Sequence, residues 1–175
     1  MSITVGTDTY ITVAEADDHV ELFYPSTDAQ RLAWADLDEA DKEVALRKAA
    51  KAMNTLKYTG CKVDDDQALA FPRCYVNQNT RSDIQTKYLG GWDCQDEVPE
   101  DVKEAQAEEA LELAVPSGAS SHAKDIQRGI TSKSVLHATE SYAGVEPGGI
   151  AATIANPKAQ RLLEPYMGGG YEIVR

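Results

Sequence analysis

The sequence reads as a mainly α protein, and three observations lead there. Helix-start signals stand ahead of several segments, apolar residues within those segments recur at spacings of three and four, and sustained period-2 alternation occurs in one later stretch alone. At 175 residues the chain is long enough for one domain with a real core and too short for two ordinary ones.

The first helix is announced by "TVAE", with Thr12 as cap and Glu15 as its capping-box partner. Val13, Ala16, Val20 and Phe23 then define one buried stripe, and Pro25 and Ser26 break it. A second start lies near Asp28. After Asp38 comes the strongest helix, with Leu46, Ala49, Met53 and Leu56 on one face, basic residues mostly on the other, and an end expected at Gly60.

Residues 61 to 97 are rich in turn residues and show no sustained period. They read as a long wrapped loop with short pieces of structure, anchored by Leu69, Phe71, Tyr75, Tyr88 and Trp92. A further helix follows, with Pro99 as its first residue, Glu100 and Asp101 favoured by the helix dipole, and Ala107, Leu111 and Ala114 turned to a core. Beyond Pro116 a small, polar linker leads to a β pattern over 126 to 142. There Leu136, Ala138, Glu140 and Tyr142 alternate with Val135, His137, Thr139 and Ser141, and a ribbon with "RGITSK" is one pairing. A second linker reaches the terminal helix, capped by Asn156 with Pro157 at its first position. Ala159, Leu162, Leu163 and Tyr166 recur at helical spacing, and Gly168 is the natural stop. The resulting organisation is a core over 1–116, a linker and projecting β-ribbon arm over 117–155, and a C-terminal helix and tail over 156–175.

Charge is uneven. The net formal charge is -12, yet residues 42 to 62 carry Lys42, Arg47, Lys48, Lys51, Lys57 and Lys62 against Glu43. Residues 93 to 112 hold nine acids against Lys103 alone. The simplest reading is solvated helix faces that attract one another weakly. Cys61, Cys74 and Cys94 are odd in number and widely spaced, which reads as reduced thiols, and no ligand pair has zinc spacing. No apolar run is long enough for a membrane span, and the first ten residues lack the pattern of a secretory signal, so folding in a cytoplasm is expected.

Signatures of nucleotide, zinc-hydrolase and nucleophile-elbow chemistry are absent, and neither a cofactor nor a metal is expected. Asp64, Asp65 and Asp66 lack the spacing of a calcium loop and read as an exposed turn. His137 and Glu140 fall on opposite strand faces, and His19 reads as a surface or half-buried residue. The basic helix face of Lys48, Lys51 and Lys57, with Tyr58 and Trp34 as stacking partners, is the one candidate for nucleic acid.

The ordered set "TVGTDTYITVAEADDH", "KEVALRKAAKAMNTLKYTGCK", "QALAFPR", "VPEDVKEAQAEEALEL" and "NPKAQRLLEPYMGGG" resembles the head-tail connector, or adaptor, proteins of long-tailed bacteriophages. Some relatives of these proteins carry the label DnaT-like single-stranded-DNA-binding protein. The likeness runs in order through nearly the whole chain, with Ala70, Phe71, Pro72 and Arg73 matching its A-F/W-P-R stretch, while residues 74 to 97 are less predictable. The resemblance implies a small helical bundle, without enzymatic activity, in a ring of about 12 copies under the portal at the capsid vertex. That ring would extend the DNA channel, letting DNA pass without specific binding, and would meet a tail-side stopper or tail-terminator neck protein.

Such a protein would be made in the host cytoplasm and end in the virion neck. The resemblance makes the C-terminal helix and tail a portal-docking element, with Leu162, Leu163, Tyr166, Met167, Tyr171, Ile173 and Arg175 as contacts. The triple glycine 168–170 would be its joint. It makes the ribbon a second arm, with Ile130, Val135, Leu136 and Tyr142 touching a neighbouring subunit or the tail side. A helix packed on its own bundle with a frayed end is the plainer alternative for the C-terminus. The alternative for the whole protein is a DnaT-like single-stranded-DNA-binding protein, with Lys48 and Lys51 on the phosphates.

Overall fold

The computed structural model describes residues 2–76, 92–117, 132–135, 138–141 and 150–167, with backbone alone at 76, 92, 132–135, 138–141, 151 and 152. Helix α1 (Val13–Phe23) opens on the expected capping box. Thr12 Oγ1 accepts from the Glu15 amide at 3.1 Å, and the Thr12 amide donates to the Glu15 carboxylate at 2.7 Å. These bonds from Thr12 hold the Glu15 carboxyl below its usual range. Helix α2 (Ala29–Ala35) is capped by Asp28, whose side chain accepts from the amides of Gln30 and Arg31.

Helix α3 (Glu39–Asn54) buries Leu46, Ala49 and Met53 as expected, but it stops at Asn54 rather than Gly60. The Thr55 hydroxyl turns back to the Ala52 carbonyl at 2.7 Å, and the Thr55 and Leu56 amides bond three residues back. This tightening ends the ladder. Leu56 therefore enters the core from the following turn. Gly60 serves a different purpose: at φ 72°, a Cβ there would stand 2.1 Å from the Cys74 carbonyl oxygen. Its lack of a side chain lets the strand approach its neighbour.

The short pieces of structure within the expected wrapped loop are strands of a small antiparallel sheet, in the order β1 (Cys61–Lys62), β2 (Arg73–Val76), β3 (Trp92–Cys94). Arg73 pins it to the bundle. Its buried guanidinium donates to the carbonyls of Thr59 (2.7 Å), Gly60 (2.8 Å) and Ala70 (3.0 Å). Leu69 and Phe71 anchor this region as expected, with Phe71 ringed edge-on by Tyr10, Tyr58 and Tyr166. Tyr75 is half-buried, and Tyr88 lies outside the described residues.

The thiol expectation is corrected here: Cys74 and Cys94 form a disulfide. The two face each other in register, and the next pair exchanges the Gln95 amide and Arg73 carbonyl at 3.0 Å. Positions 74 and 94 are thus a non-hydrogen-bonded pair, where side chains come closest. Sequence spacing alone could not reveal that registration.

Helix α4 (Glu100–Ala114) is the centre of the bundle, with α1, α2, α3 and the C-terminal helix all packed on it. Strands β4 (Ser132–Val135) and β5 (Ala138–Ser141) form a hairpin. Val135 and Ala138, expected on opposite faces of one strand, are instead cross-strand partners. A short helix α5 (Ile150–Thr153) leads to α6 (Pro157–Leu163) and a 3₁₀ turn over Glu164–Tyr166. Asn156 caps α6 by accepting from the Lys158 amide at 2.8 Å, as the Asn-Pro pair predicts. Among the described residues no helix is long and apolar enough to cross a membrane.

Candidate functional site

Three surfaces were expected to carry function: the basic face of α3, the C-terminal helix with its tail, and the β-ribbon arm. The structure treats them differently. Of the basic residues on α3, Lys42 points inward: its Nζ donates to Asp17 at 2.9 Å and stands 5.5 Å over the Trp34 ring. Arg47 pairs with Glu43 at 3.3 Å. Lys48, Lys51 and the following Lys57 are exposed and form no salt bridge among the described residues. Lys48 and Lys51 are three residues apart, so they lie on one side of the helix.

The expected stacking platform is absent from that side. Trp34 is 2% exposed, and its indole N–H is tied to Asp17 at 2.7 Å. Tyr58 is half-buried against Phe71, with its hydroxyl donating to the Met53 carbonyl. Burial pushes the Tyr58 phenol up. The open groove of about 300 Å³ between α1, α2 and α3 offers little to an anion, because Lys42 and Arg31 in its wall are already paired with Asp17 and Glu21.

The C-terminal helix is part of the bundle. Leu163 and Ala159 are fully buried, while Leu162, Tyr166 and Met167 pack partly buried against the same core. Backbone bonds finish the attachment, with the Thr59 amide donating to the Tyr166 carbonyl at 2.9 Å and Tyr58 bridging to Met167. Leu163 is therefore a core residue of this chain in this conformation and not a free docking contact. Tyr171, Ile173, Arg175, Ile130, Leu136, Tyr142 and the triple glycine lie outside the described residues, and Val135 is described by its backbone alone.

What holds this helix is a set of glutamates on α4 that are buried and not on the solvated face expected for them. Glu109 accepts from the backbone amides of Ala155 (3.0 Å) and Asn156 (2.8 Å), at the entrance to α6. Burial nonetheless pushes its carboxyl up to about 6, and the Glu112 charge adds to the rise. Glu108 meets His19 at 3.1 Å, accepts from Tyr24, and accepts from the Asn156 side chain at 3.1 Å. Lys158 stands 3.5 Å from it and 4.0 Å over the Tyr24 ring. Although burial opposes it, the bonds from His19 and Tyr24 with the nearby Lys158 charge carry the Glu108 carboxyl below its usual range. Glu112 accepts from the amide and hydroxyl of Ser117.

The His19, Glu108, Tyr24 and Lys158 constellation has the residue types of an acid/base site. Yet Glu108 is saturated by donors, and the Tyr24 phenol is pushed far up by burial and by its bond to Glu108, which leaves no free base. It is a latch between α1, α4 and α6. Tyr24 enters it because α1 ends at Phe23 and the extended Tyr24 swings its ring inward. Phe23, expected in the buried stripe, is left exposed beside the His19 ring.

The sequence did carry one signal for the latch. Val102, Ala105, Ala107, Ala110 and Leu111 reach most of the way round α4 at 100° per residue, too wide an apolar arc for a half-exposed helix. Among the described residues no group of His, Cys, Asp or Glu is arranged to hold a metal ion. Asp64 instead accepts from the Asp66 amide at 3.0 Å, closing a turn.

These features define a helical-bundle protein that exposes Lys48 and Lys51 on one side of α3 and whose buried α4 acids are structural. The chain matches, over residues 2–175, the model of a family described as "Putative DnaT-like ssDNA binding protein", and it belongs to that family. No curated protein and no solved structure shows significant similarity to it.

Proposed function

We propose that the chain is a non-enzymatic protein that associates with single-stranded DNA through phosphate contacts along Lys48, Lys51 and Lys57. The observation that carries this reading is the exposure of those three cations without salt-bridge partners among the described residues, in a chain of this family. The net charge of -12 repels DNA at long range. At ordinary ionic strength that repulsion is screened beyond about 10 Å, so a local row can still act. With no aromatic platform beside the row, binding is weak, insensitive to base sequence and strongly dependent on salt.

Fluorescence anisotropy of a labelled oligothymidine, titrated at several salt concentrations, tests this. Three phosphate contacts give a slope of log affinity against log salt of about -2. The triple change of Lys48, Lys51 and Lys57 to Gln should abolish the titratable binding. Equal binding by the variant would overturn the reading.

The head-tail connector remains as a second reading. It is favoured by the resemblance that runs through nearly the whole chain and by the β4–β5 hairpin, whose two strands pair with each other. In it the chain forms a ring of about 12 copies in the virion neck, between portal and a tail-side protein, with DNA passing through. Because α6 is built into the core, Tyr171, Ile173 and Arg175 rather than Leu163 become the portal contacts to test. The measurement is the mass in solution of the full chain and of a chain ending at Met167, each with candidate portal. Loss of a portal complex on removing the last eight residues supports this reading, and failure of the full chain to bind portal rejects it.

A further inference from the structure

The register of the small sheet brings all three cysteines into one row. Cys61 on β1 faces Cys74 on β2, and Cys74 in turn faces Cys94 on β3. Directly opposed residues of antiparallel strands project from the same face, with Cβ atoms about 4.5–5.5 Å apart. Cys74 is buried and bridged to Cys94, while Cys61 is an exposed free thiol on the other side of it. Strands two apart are separated by about 9–10 Å, beyond the roughly 7 Å that a disulfide can span. Cys61 and Cys94 therefore cannot bridge each other in this sheet, but each is a directly opposed neighbour of Cys74, Cys61 across the wider, hydrogen-bonded kind of pair.

We propose that this row is an internal thiol–disulfide exchange site, in which Cys61 and Cys94 compete for Cys74. The Cys61 thiolate attacks Cys74 Sγ, a new bond forms between sulfurs 61 and 74, and the bond between 74 and 94 breaks. The electron pair leaves on Cys94 Sγ, which takes up the proton that Cys61 released. No external oxidant or reductant is consumed. The strand order places Cys61 and Cys94 on opposite sides of Cys74, so attack by one and departure of the other occur on different sides of the central residue. Cys94 is exposed, so its thiolate leaves into water. The exchange moves the covalent closure from the segment between positions 74 and 94 to the one between 61 and 74, and so shifts which edge strand is tied to β2. This inference stands apart from the DNA-binding reading.

The test uses the full chain, because each cysteine lies in its own tryptic peptide, 58–62, 74–81 and 88–103. The oxidised protein is held at pH 8 without added thiol or oxidant, sampled with N-ethylmaleimide at mildly acidic pH, digested and mapped by mass spectrometry. Label should begin on Cys61 and spread to Cys94 at a constant total of one thiol per chain, at a rate independent of protein concentration. A linked pair of peptides 58–62 and 74–81 should appear with it. The Cys61→Ser variant should keep Cys94 unlabelled. Confinement of label to Cys61 over hours, or a rate that rises with concentration, overturns the proposal. A second variant, Cys94→Ser, is treated with oxidised glutathione after circular dichroism shows it helical. It should close Cys61 to Cys74, and glutathione adducts without that link count against the proposal. If this variant does not fold, the label distribution in the natural chain decides.

Discussion

Helices α3 and α4 are the two longest among the described residues and pack on each other, yet they handle charge in opposite ways. Helix α3 is amphipathic in the ordinary sense, with Leu46, Ala49 and Met53 inside and Lys48 and Lys51 in water. Helix α4 has neighbours on nearly every side, so Glu108, Glu109 and Glu112 are drawn in with its alanines. A buried carboxylate is tolerated only where donors meet it. Here those donors are the backbone entrance to α6, the His19 and Tyr24 side chains, and Ser117. The lesson is that a run of acids does not mark a solvated face when the helix carrying them is central.

Four experiments would break or sharpen that contrast. The largest effect is expected from Glu109→Ala, which orphans the buried amides of Ala155 and Asn156. It should cost about 4 kcal/mol in urea unfolding at neutral pH, about 2 kcal/mol for each buried amide left without an acceptor. An effect below 1 kcal/mol would mean that water replaces the carboxylate and that the latch is not a buried one. Next is Gln106→Ala. The Gln106 side chain accepts from the Tyr10 amide at 2.8 Å and donates to the Leu46 carbonyl at 3.0 Å, joining α3 to α4. Its loss should cost about 2–3 kcal/mol by the same assay.

The third experiment is a pH series. The folded Glu109 carboxyl titrates at about 6, above its ordinary 4.5. Its protonation therefore favours the folded state, a contribution fully present below pH 4.5 and lost as pH rises through 6. Measured against Glu109→Gln, the natural chain should gain about 1.6 kcal/mol of stability between pH 7 and pH 4.5. Glu108, whose carboxyl is held low, contributes with the opposite sign. Against Glu108→Gln the natural chain should lose relative stability as pH falls below 4.5. A Glu109 difference that stays flat with pH would show that its carboxylate is solvated.

The smallest expected effect is on α3. Changing Lys48, Lys51 and Lys57 to Gln should leave the unfolding midpoint in place while removing DNA binding. Destabilisation by the triple change would reveal that these lysines hold the fold and would erase the contrast between the helices.

Local chemistry was legible in the sequence by itself. The Thr12–Glu15 capping box, the Asp28 cap, the Asn156–Pro157 start and the inner face of α3 need only residues a few positions apart, and they appear where their spacing puts them. The exposure of Lys48 and Lys51 on one side of α3 was legible for the same reason. What tertiary structure alone decided was which neighbours each element would meet. Phe23 turned outward and Tyr24 inward, Trp34 was enclosed with Asp17 and Lys42, and Leu163 joined the chain's own core. The three glutamates of α4 went inside, and the cysteines aligned across strands whose order no local pattern encodes. Caps and periodicity are set by bonds within a few residues of one another. Burial and register are set by surfaces brought together from positions as much as 134 residues apart, as Lys158 is from Tyr24, and their energies exist only once the fold has closed.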